Sequence, residues 1–195
     1  TNIGSFSDAT RELPGGQPSR LGDLEITRQV TGFRKVRQMS EQEAGSEELD
    51  LPPETIETVG VCVAATGDDV ASLLESGRDL MGSLHALEHA LISLLPVFAH
   101  CDVRDIGGVS EAAHPDLLAP VVSVYDGHPG GVGIAEVAWE RMGELLEATA
   151  DNIAKCPCDT GCPSCVQAPD CGSGNEPLDK AGALLLARLW LGQTE

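Results

Sequence analysis

Aromatic residues are scarce in this chain of 195 residues, since two Trp, one Tyr and three Phe make up only 3% of it. Basic residues are scarce as well. The sequence has 12 Lys and Arg against 31 Asp and Glu, which gives a formal net charge of −19. Affinity for nucleic acids depends largely on Lys and Arg side chains that neutralise phosphates. The composition therefore argues against a general grip of this surface on DNA or RNA.

Several other signals are missing. The sequence has no secretory signal and no apolar run of membrane-spanning length, which indicates a cytoplasmic protein without a membrane partner. It also lacks the phosphate-binding pattern G-x-x-x-x-G-K-[ST], and the glycines of residues 130–133 do not have the G-x-G-x-x-G spacing. The chain begins at Thr1 without Met, so we expect it to be a fragment of a larger protein.

Cysteine is abundant in one place, because five of the seven cysteines lie within residues 156–171. Cys162 and Cys165 have the two-residue spacing of a zinc knuckle, in which a tight turn directs both thiolates at one ion. Cys156 and Cys158 lie just before it and complete a tetrahedral set without closing a long loop. A closed shell of four thiolates leaves no position for water or substrate. The pattern therefore predicts one structural zinc ion, and no catalytic one, held by Cys156, Cys158, Cys162 and Cys165.

Two alternatives to this ligand set remain open at the level of sequence. Cys171 can replace Cys156, which gives the set Cys158, Cys162, Cys165 and Cys171, although Lys155 favours the set that begins at Cys156 by offsetting its negative charge. The cysteines can also form disulfides or remain free thiols. An odd number of cysteines and the missing secretory signal favour a reduced, intracellular protein and hence a metal site.

Alternating strand and helix patterns predict an α+β (or α/β) fold, with a small sheet packed against long helices and the zinc loop between the last two helices. We expect two parts: residues 1–59 form a strand-rich N-terminal segment with an acidic connector, and residues 60–195 form the zinc-binding domain. Residues 1–23 read as loop and residues 41–57 as an exposed connector. One long helix is expected from Asp68 or Asp69 to Pro96. Arg28, Arg34, Lys35 and Arg37 form the one basic stretch, which is either a solvated strand face or a contact for DNA or a protein partner.

Two patterns allow a second interpretation. Residues 85–89 read H-x-x-E-H, the order found in inverted zinc metalloproteases, where two His bind the ion and a Glu activates water. Here His85, Glu88 and His89 would need a third ligand from a distant carboxylate such as Glu144, and both His can instead be core residues bonded to backbone or to a nearby Asp. The glycine-rich turn after Tyr125 either binds an anion at a helix start or serves only as a tight turn. A free-standing protein-interaction module is a further alternative.

Five motifs in one order resemble the C-terminal zinc-binding domain of superfamily 2 DNA helicases of the MrfA and SftH kind. They are residues 85–89, 101–108, 125–133, 156–165 and 175–180. The resemblance covers roughly residues 60–191, and residues 1–59 fit more loosely as strands that precede the domain.

The resemblance implies a parent protein that is an ATP-dependent DNA-repair helicase whose motor, with its ATP and Mg²⁺, lies outside this chain. It implies that the four cysteines from Cys156 to Cys165 bind zinc, with Cys171 as an extra residue, and that the fragment is not itself an enzyme. The expected partners are the motor domains of the same polypeptide and, through the parent, DNA. The net charge of −19 indicates that this domain braces or positions the motor, with any DNA contact confined to a patch such as residues 28–37.

Overall fold

A computed structural model describes residues 2–4, 9–36 and 43–193 of the chain. Within these residues eight strands and five α-helices form, which confirms the α+β prediction. The strands are β1 (Asn2–Gly4), β2 (Ala9–Glu12), β3 (Pro18–Arg28), β4 (Gly32–Val36), β5 (Glu43–Glu48), β6 (Glu54–Ala64), β7 (Ile106–Glu111) and β8 (Val121–Asp126). The helices are α1 (Gly67–Glu75), α2 (Leu80–Ala99), α3 (Ile134–Glu140), α4 (Met142–Lys155) and α5 (Lys180–Trp190).

The main sheet is antiparallel throughout. Its strand order is β1-β3-β6-β8-β7, with β2 also paired to β3, and β4 and β5 form a separate two-stranded ribbon. The centre of the sheet is the apolar end of β6 against β8, where Val61, Val63, Val122 and Val124 are buried. β-branched side chains of this kind pack well on a pleated surface. Strand β6 runs through residue 59, and the division of the chain at this position stays a prediction.

The N-terminal part contains more strand than the sequence predicts. Residues 18–23 belong to β3 and residues 9–12 to β2, so the expectation of a loop over residues 1–23 is wrong for these positions. Of the Pro and Gly residues that suggested a loop, Pro14, Gly15 and Gly16 form the turn between β2 and β3, where Gly16 has a φ of 89° and donates to the carbonyl of Leu13, and Pro18 begins β3. The expected connector at residues 41–57 also contains β5 and the start of β6, apart from residues 41 and 42, which lie outside the described residues.

The expected long helix is two helices. Thr66 caps α1 in a capping box with Asp69, and α1 ends before Gly77, whose φ of 65° is left-handed and costs glycine little. Asp79 then caps α2 by accepting from the N–H of Gly82. We expected Pro96 to end or kink the helix, and α2 does not end there but continues to Ala99. The apolar period alone does not show this break, because both helices keep their apolar faces towards one core.

Helix α2 is the central element of the core. It lies against β7 and β8 on one side and contacts α4 and α5 on the other. Leu84, Leu87 and Leu95 are completely buried there. By length and composition alone α2 is apolar enough to cross a membrane, a test that core helices also pass, and 56% of the relevant window is buried inside this structure.

Candidate metal centre

The four cysteines of residues 156–165 are positioned by the end of α4 and the turn that follows it. Cys156 is the C-cap residue of α4. Cys165 donates its backbone N–H to the carbonyl of Cys162 over 3.0 Å, and the N–H of Cys162 points at the sulfur of Cys165 over 3.4 Å. Gly161, with a φ of 129°, leads into this turn. A thiolate supported by a backbone N–H is typical of a zinc knuckle.

The four sulfurs lie at the separations that a tetrahedral zinc ion requires. Cys156 Sγ is 3.5 Å from both Cys158 Sγ and Cys162 Sγ. Cys165 Sγ is 3.4 Å from Cys158 Sγ and 3.8 Å from Cys162 Sγ. With a Zn–S bond of about 2.3 Å, two sulfurs on one tetrahedral ion are about 3.8 Å apart. A disulfide bond is only about 2.05 Å long, and all seven cysteines are free. The donor set therefore fits a closed zinc site, which we call the four-cysteine cluster.

The positive charge beside the four-cysteine cluster comes from an unexpected residue. Lys155, which the sequence suggested, is exposed and pairs with Asp151 over 2.7 Å. Lys180, the first residue of α5, donates instead to the carbonyls of Cys156 and Cys158 over 2.8 and 2.5 Å. It places an ammonium against a site that would carry a net double negative charge with zinc. Lys180 also joins the start of α5 to the end of α4, and 24 residues of separation concealed this contact from the local pattern.

Cys171 does not lie in the four-cysteine cluster. Its sulfur is 3.4 Å from Nε2 of His85 and near His89, on the face of α2 that points to residues 166–177. Both His side chains bond to backbone carbonyls, and Asp102 and Asp105, the alternative partners, bond to Arg104 and His128.

The residues of the H-x-x-E-H pattern do not assemble as a protease site. Glu88 is buried, faces β7 with its carboxylate against Gly108, and has Ser110 as a hydrogen-bond partner. Burial raises the pKa of Glu88 to about 7, against a smaller lowering by the bond to Ser110. Glu144, the suggested third ligand, lies on α4 and pairs with Arg141 over 2.5 Å. A carboxylate that could activate water is thus directed away from His85 and His89.

The glycine-rich turn holds a carboxylate of its own. Asp126, fully buried at the end of β8, accepts hydrogen bonds from the backbone N–H groups of residues 132, 133, 134 and 135. These donors at the start of α3 are the ones that an external anion would use. The turn therefore uses these four donors to hold its own carboxylate at the start of α3 and not to bind an external phosphate.

The basic stretch is paired with acids where the structure describes its side chains. Arg28 pairs with Glu54 across β3 and β6, and Lys35 pairs with Glu47 across β4 and β5. These pairs favour the solvated strand face over a DNA contact. The Arg34 side chain and all of Arg37 lie outside the described part of the structure.

An α+β fold whose last two helices are joined by four converging cysteines defines a structural zinc-binding domain, since the closed shell leaves no position for a substrate. Comparison with known proteins agrees with this class. The family model of the MrfA Zn-binding domain matches residues 87–166.

Relatives share more of the chain. An uncharacterised protein of Methanocaldococcus jannaschii is 39% identical over 104 residues, which are 52% of this chain and 93% of that protein. The ATP-dependent helicase YprA of Bacillus subtilis is 33% identical over 148 residues, 74% of this chain but only 19% of the helicase. The crystal structure of the DUF1998 helicase MrfA bound to DNA superimposes with a TM-score of 0.65 at 27% identity, covering 96% of this chain and 24% of that one.

The chain belongs to the family of MrfA zinc-binding domains, as the resemblance predicted. It spans about a fifth to a quarter of the helicases that it matches.

Proposed function

We propose that this chain is the non-catalytic zinc-binding domain of a cytoplasmic ATP-dependent DNA helicase, and that Cys156, Cys158, Cys162 and Cys165 bind its structural zinc ion. The observation that carries the proposal is the set of sulfur separations, 3.4 to 3.8 Å, in the four-cysteine cluster. The match of almost the whole chain to a part of MrfA supports the helicase context.

The role we propose is to brace the motor rather than to hold DNA. The net charge of −19 disfavours contact with phosphates. In addition, Arg28 on β3 pairs with Glu54 and Lys35 on β4 pairs with Glu47. Zinc closes residues 156–165 between α4 and α5, so it fixes the angle at which these helices meet their neighbours. A rigid domain of this kind can position motor domains of the same polypeptide without touching substrate. Residues 1–59 are, in this proposal, the parent's strand-rich lead into residues 60–195.

Two measurements test the proposal. The full-length parent is assayed for DNA-dependent ATP hydrolysis and strand separation, with and without this domain. We expect the truncated protein to lose strand separation while its motor still hydrolyses ATP. In this proposal the zinc-binding domain is needed to couple ATP hydrolysis to strand separation, and it is not needed for ATP hydrolysis itself. A parent without DNA-dependent ATPase activity would contradict the helicase assignment, and an unchanged rate of strand separation after truncation would contradict the bracing role.

The ligand assignment is tested separately by zinc content. Cys162→Ser is expected to remove the zinc of the four-cysteine cluster, and Cys101→Ser, which changes a partly buried cysteine outside it, is the matched control. If both variants keep the zinc content of the unmodified chain, the four cysteines are not its ligands.

A further inference from the structure

A second group of metal-binding side chains lies outside the four-cysteine cluster and shares no residue with it. One ligand atom each from His85, His89 and Cys171 lies within 4.8 Å of the others. The best-defined separation, from Cys171 Sγ to His85 Nε2, is 3.4 Å. A nitrogen and a sulfur bound to the same tetrahedral zinc ion are about 3.6 Å apart, from bond lengths of about 2.05 and 2.3 Å. The pair Cys171 and His85 is therefore already at a ligand-to-ligand spacing, and His89 lies within 4.8 Å of both.

Both His rings are oriented as metal ligands are. His85 and His89 are one helical turn apart on α2, so they lie on one face. His85 Nδ1 lies 2.8 Å from the carbonyl of Pro177, and His89 Nδ1 lies 2.9 Å from the carbonyl of Val166. A carbonyl only accepts, so each Nδ1 carries a proton, and in a neutral ring Nε2 is then the nitrogen with the lone pair that a metal uses. This second bond, which fixes the tautomer and the ring, accompanies almost every metal-bound His.

The loop around Cys171 holds its sulfur in a fixed position. The backbone N–H of Asn175 donates to Cys171 Sγ over 3.3 Å, and Ser173 Oγ lies 3.2 Å from the same sulfur. Asn175 is itself fixed, because its side chain bonds to both the N–H and the carbonyl of Ala168 over 2.8 and 3.0 Å. A backbone N–H directed at a cysteine sulfur is a common support of metal-bound thiolates.

We propose that His85, His89 and Cys171 form a second metal site, which binds a borderline-soft divalent cation of the zinc class with its fourth position open to water. Two imidazoles and one thiolate are a zinc ligand set, while Mg²⁺ and Ca²⁺ prefer oxygen ligands. Binding replaces the thiol proton of Cys171, which passes to water, and leaves the site with one net positive charge. The site ties α2 to residues 166–177, which the four-cysteine cluster reaches only at one end. Because Glu88 faces β7, it is not placed to act as a base at the open position, and we assign the ion a structural role between α2 and residues 166–177.

The four-cysteine cluster and the proposed second site are connected through one peptide unit, but experiments can distinguish them. Val166, whose carbonyl orients His89, directly follows the zinc ligand candidate Cys165. This neighbourhood makes the second site dependent on a folded four-cysteine cluster, whereas the four-cysteine cluster needs nothing from Cys171. The proposal is independent of the helicase context, since it concerns only residues of this chain.

Zinc stoichiometry tests the proposal. The full chain, saturated with Zn²⁺ and passed over a desalting column, is expected to carry two zinc ions by native mass spectrometry. Cys171→Ser is expected to carry one, and the matched controls Cys101→Ser and His100→Asn two. The second site is refuted if the unmodified chain holds a single zinc, or if Cys171→Ser still holds two. Cys171→Ser separates the two proposals, because it removes only the second ion, whereas Cys162→Ser removes the ion of the four-cysteine cluster on which the proposed function depends.

A measurement on the unmodified chain avoids any folding defect of the variants. In crystals of the full chain, diffraction at the zinc absorption edge is expected to give two anomalous peaks, one of them bounded by His85, His89 and Cys171. Co²⁺ added to the zinc-loaded chain after brief chelation should enter this weaker site and show a thiolate-to-cobalt band of one sulfur. A single peak at the four cysteines, with no cobalt band, would mean that His85 and Cys171 form only a hydrogen-bonded pair and would overturn the proposal.

Discussion

The helix α2 and the segment of residues 156–179 lie side by side, and they are held by different forces. Ten residues of α2 are buried, and Leu84, Leu87 and Leu95 have no exposed surface. Residues 156–179, all of which the structure describes, contain turns but no helix or strand. Their fixed points are sulfur atoms and backbone carbonyls: the four-cysteine cluster, the carbonyls that accept from Lys180, and those bonded to His85 and His89.

The comparison of these two regions indicates which kind of chain segment needs a metal ion to become ordered. A helix that buries apolar side chains gains about 25 cal/mol for each Å² removed from water. A segment rich in Gly, Pro and Asp cannot bury enough apolar area to offset the entropy lost on ordering it. Zinc supplies that free energy from a few atoms, because the binding energy of a structural zinc is folding energy. The two regions should therefore respond to different perturbations.

The largest effect is expected from Cys162→Ser. Loss of one ligand should release zinc and lower the free energy of unfolding by roughly 5 kcal/mol or more, given about 10–16 kcal/mol for structural zinc in small domains. In a chain of this size that is a fall in Tm of about 10–20 °C. Calorimetry with zinc analysis measures both quantities. Cys101→Ser is the control, and equal Tm values for the two variants would show that metal does not hold this segment.

Leu87→Ala tests the other region and should have the next largest effect. Leu87 is fully buried in the core of α2, so its truncation removes apolar contacts and leaves a cavity. The expected cost is about 2–5 kcal/mol in the free energy of unfolding, measured by chemical denaturation. Zinc content should stay that of the unmodified chain. Zinc loss from the folded Leu87→Ala chain would show that the two regions are not held separately.

Asp126→Asn should have a smaller effect, confined to the start of α3. Both oxygens of Asp126 accept backbone N–H groups, and an amide places an NH₂ group against at least one of these donors. We expect a loss of about 1–3 kcal/mol, since a buried donor is left without its partner. Asp116→Asn, at an exposed position, is the matched control and should be neutral. A variant as stable as the control would mean that water replaces the carboxylate.

The same contrast explains which features could be predicted from the sequence. The four-cysteine cluster follows from spacing, because its members are at most nine residues apart and one short turn brings them together. The α+β class follows from hydrophobic periodicity. The place of Cys171 beside His85 does not, since 86 residues separate them and only the packing of α2 unites them. The strand β7 and the break at Gly77 were not predicted either. Two glycines interrupt the strand pattern of β7, and the apolar period continues across the break between α1 and α2.

The last and smallest effect concerns the rate at which the cysteines react with an alkylating reagent. A thiol can be protected from this reaction by burial or by a bound metal, and neither kind of protection is measured as a change in stability. Cys62 is protected by burial on β6. Desolvation raises its pKa to about 12, opposed by a smaller lowering from the hydrogen bond to Ser123. At pH 8 its reactive thiolate fraction in the folded chain is then on the order of 10⁻⁴, against about a tenth for an unperturbed thiol of pKa 9.

In the proposed function, the cysteines of the four-cysteine cluster are instead protected by zinc. Alkylation of the folded chain at pH 8, read by mass spectrometry, should therefore modify Cys101 first. A chelator should add the four cysteines and Cys171 but not Cys62, which should require denaturant. Because burial stabilises the protonated thiol, the protection of Cys62 should persist at neutral pH and decline only as the pH rises towards 12. Labelling of Cys62 by the chelator alone would mean that zinc loss opens the sheet as well, so that metal and apolar burial hold one cooperative unit.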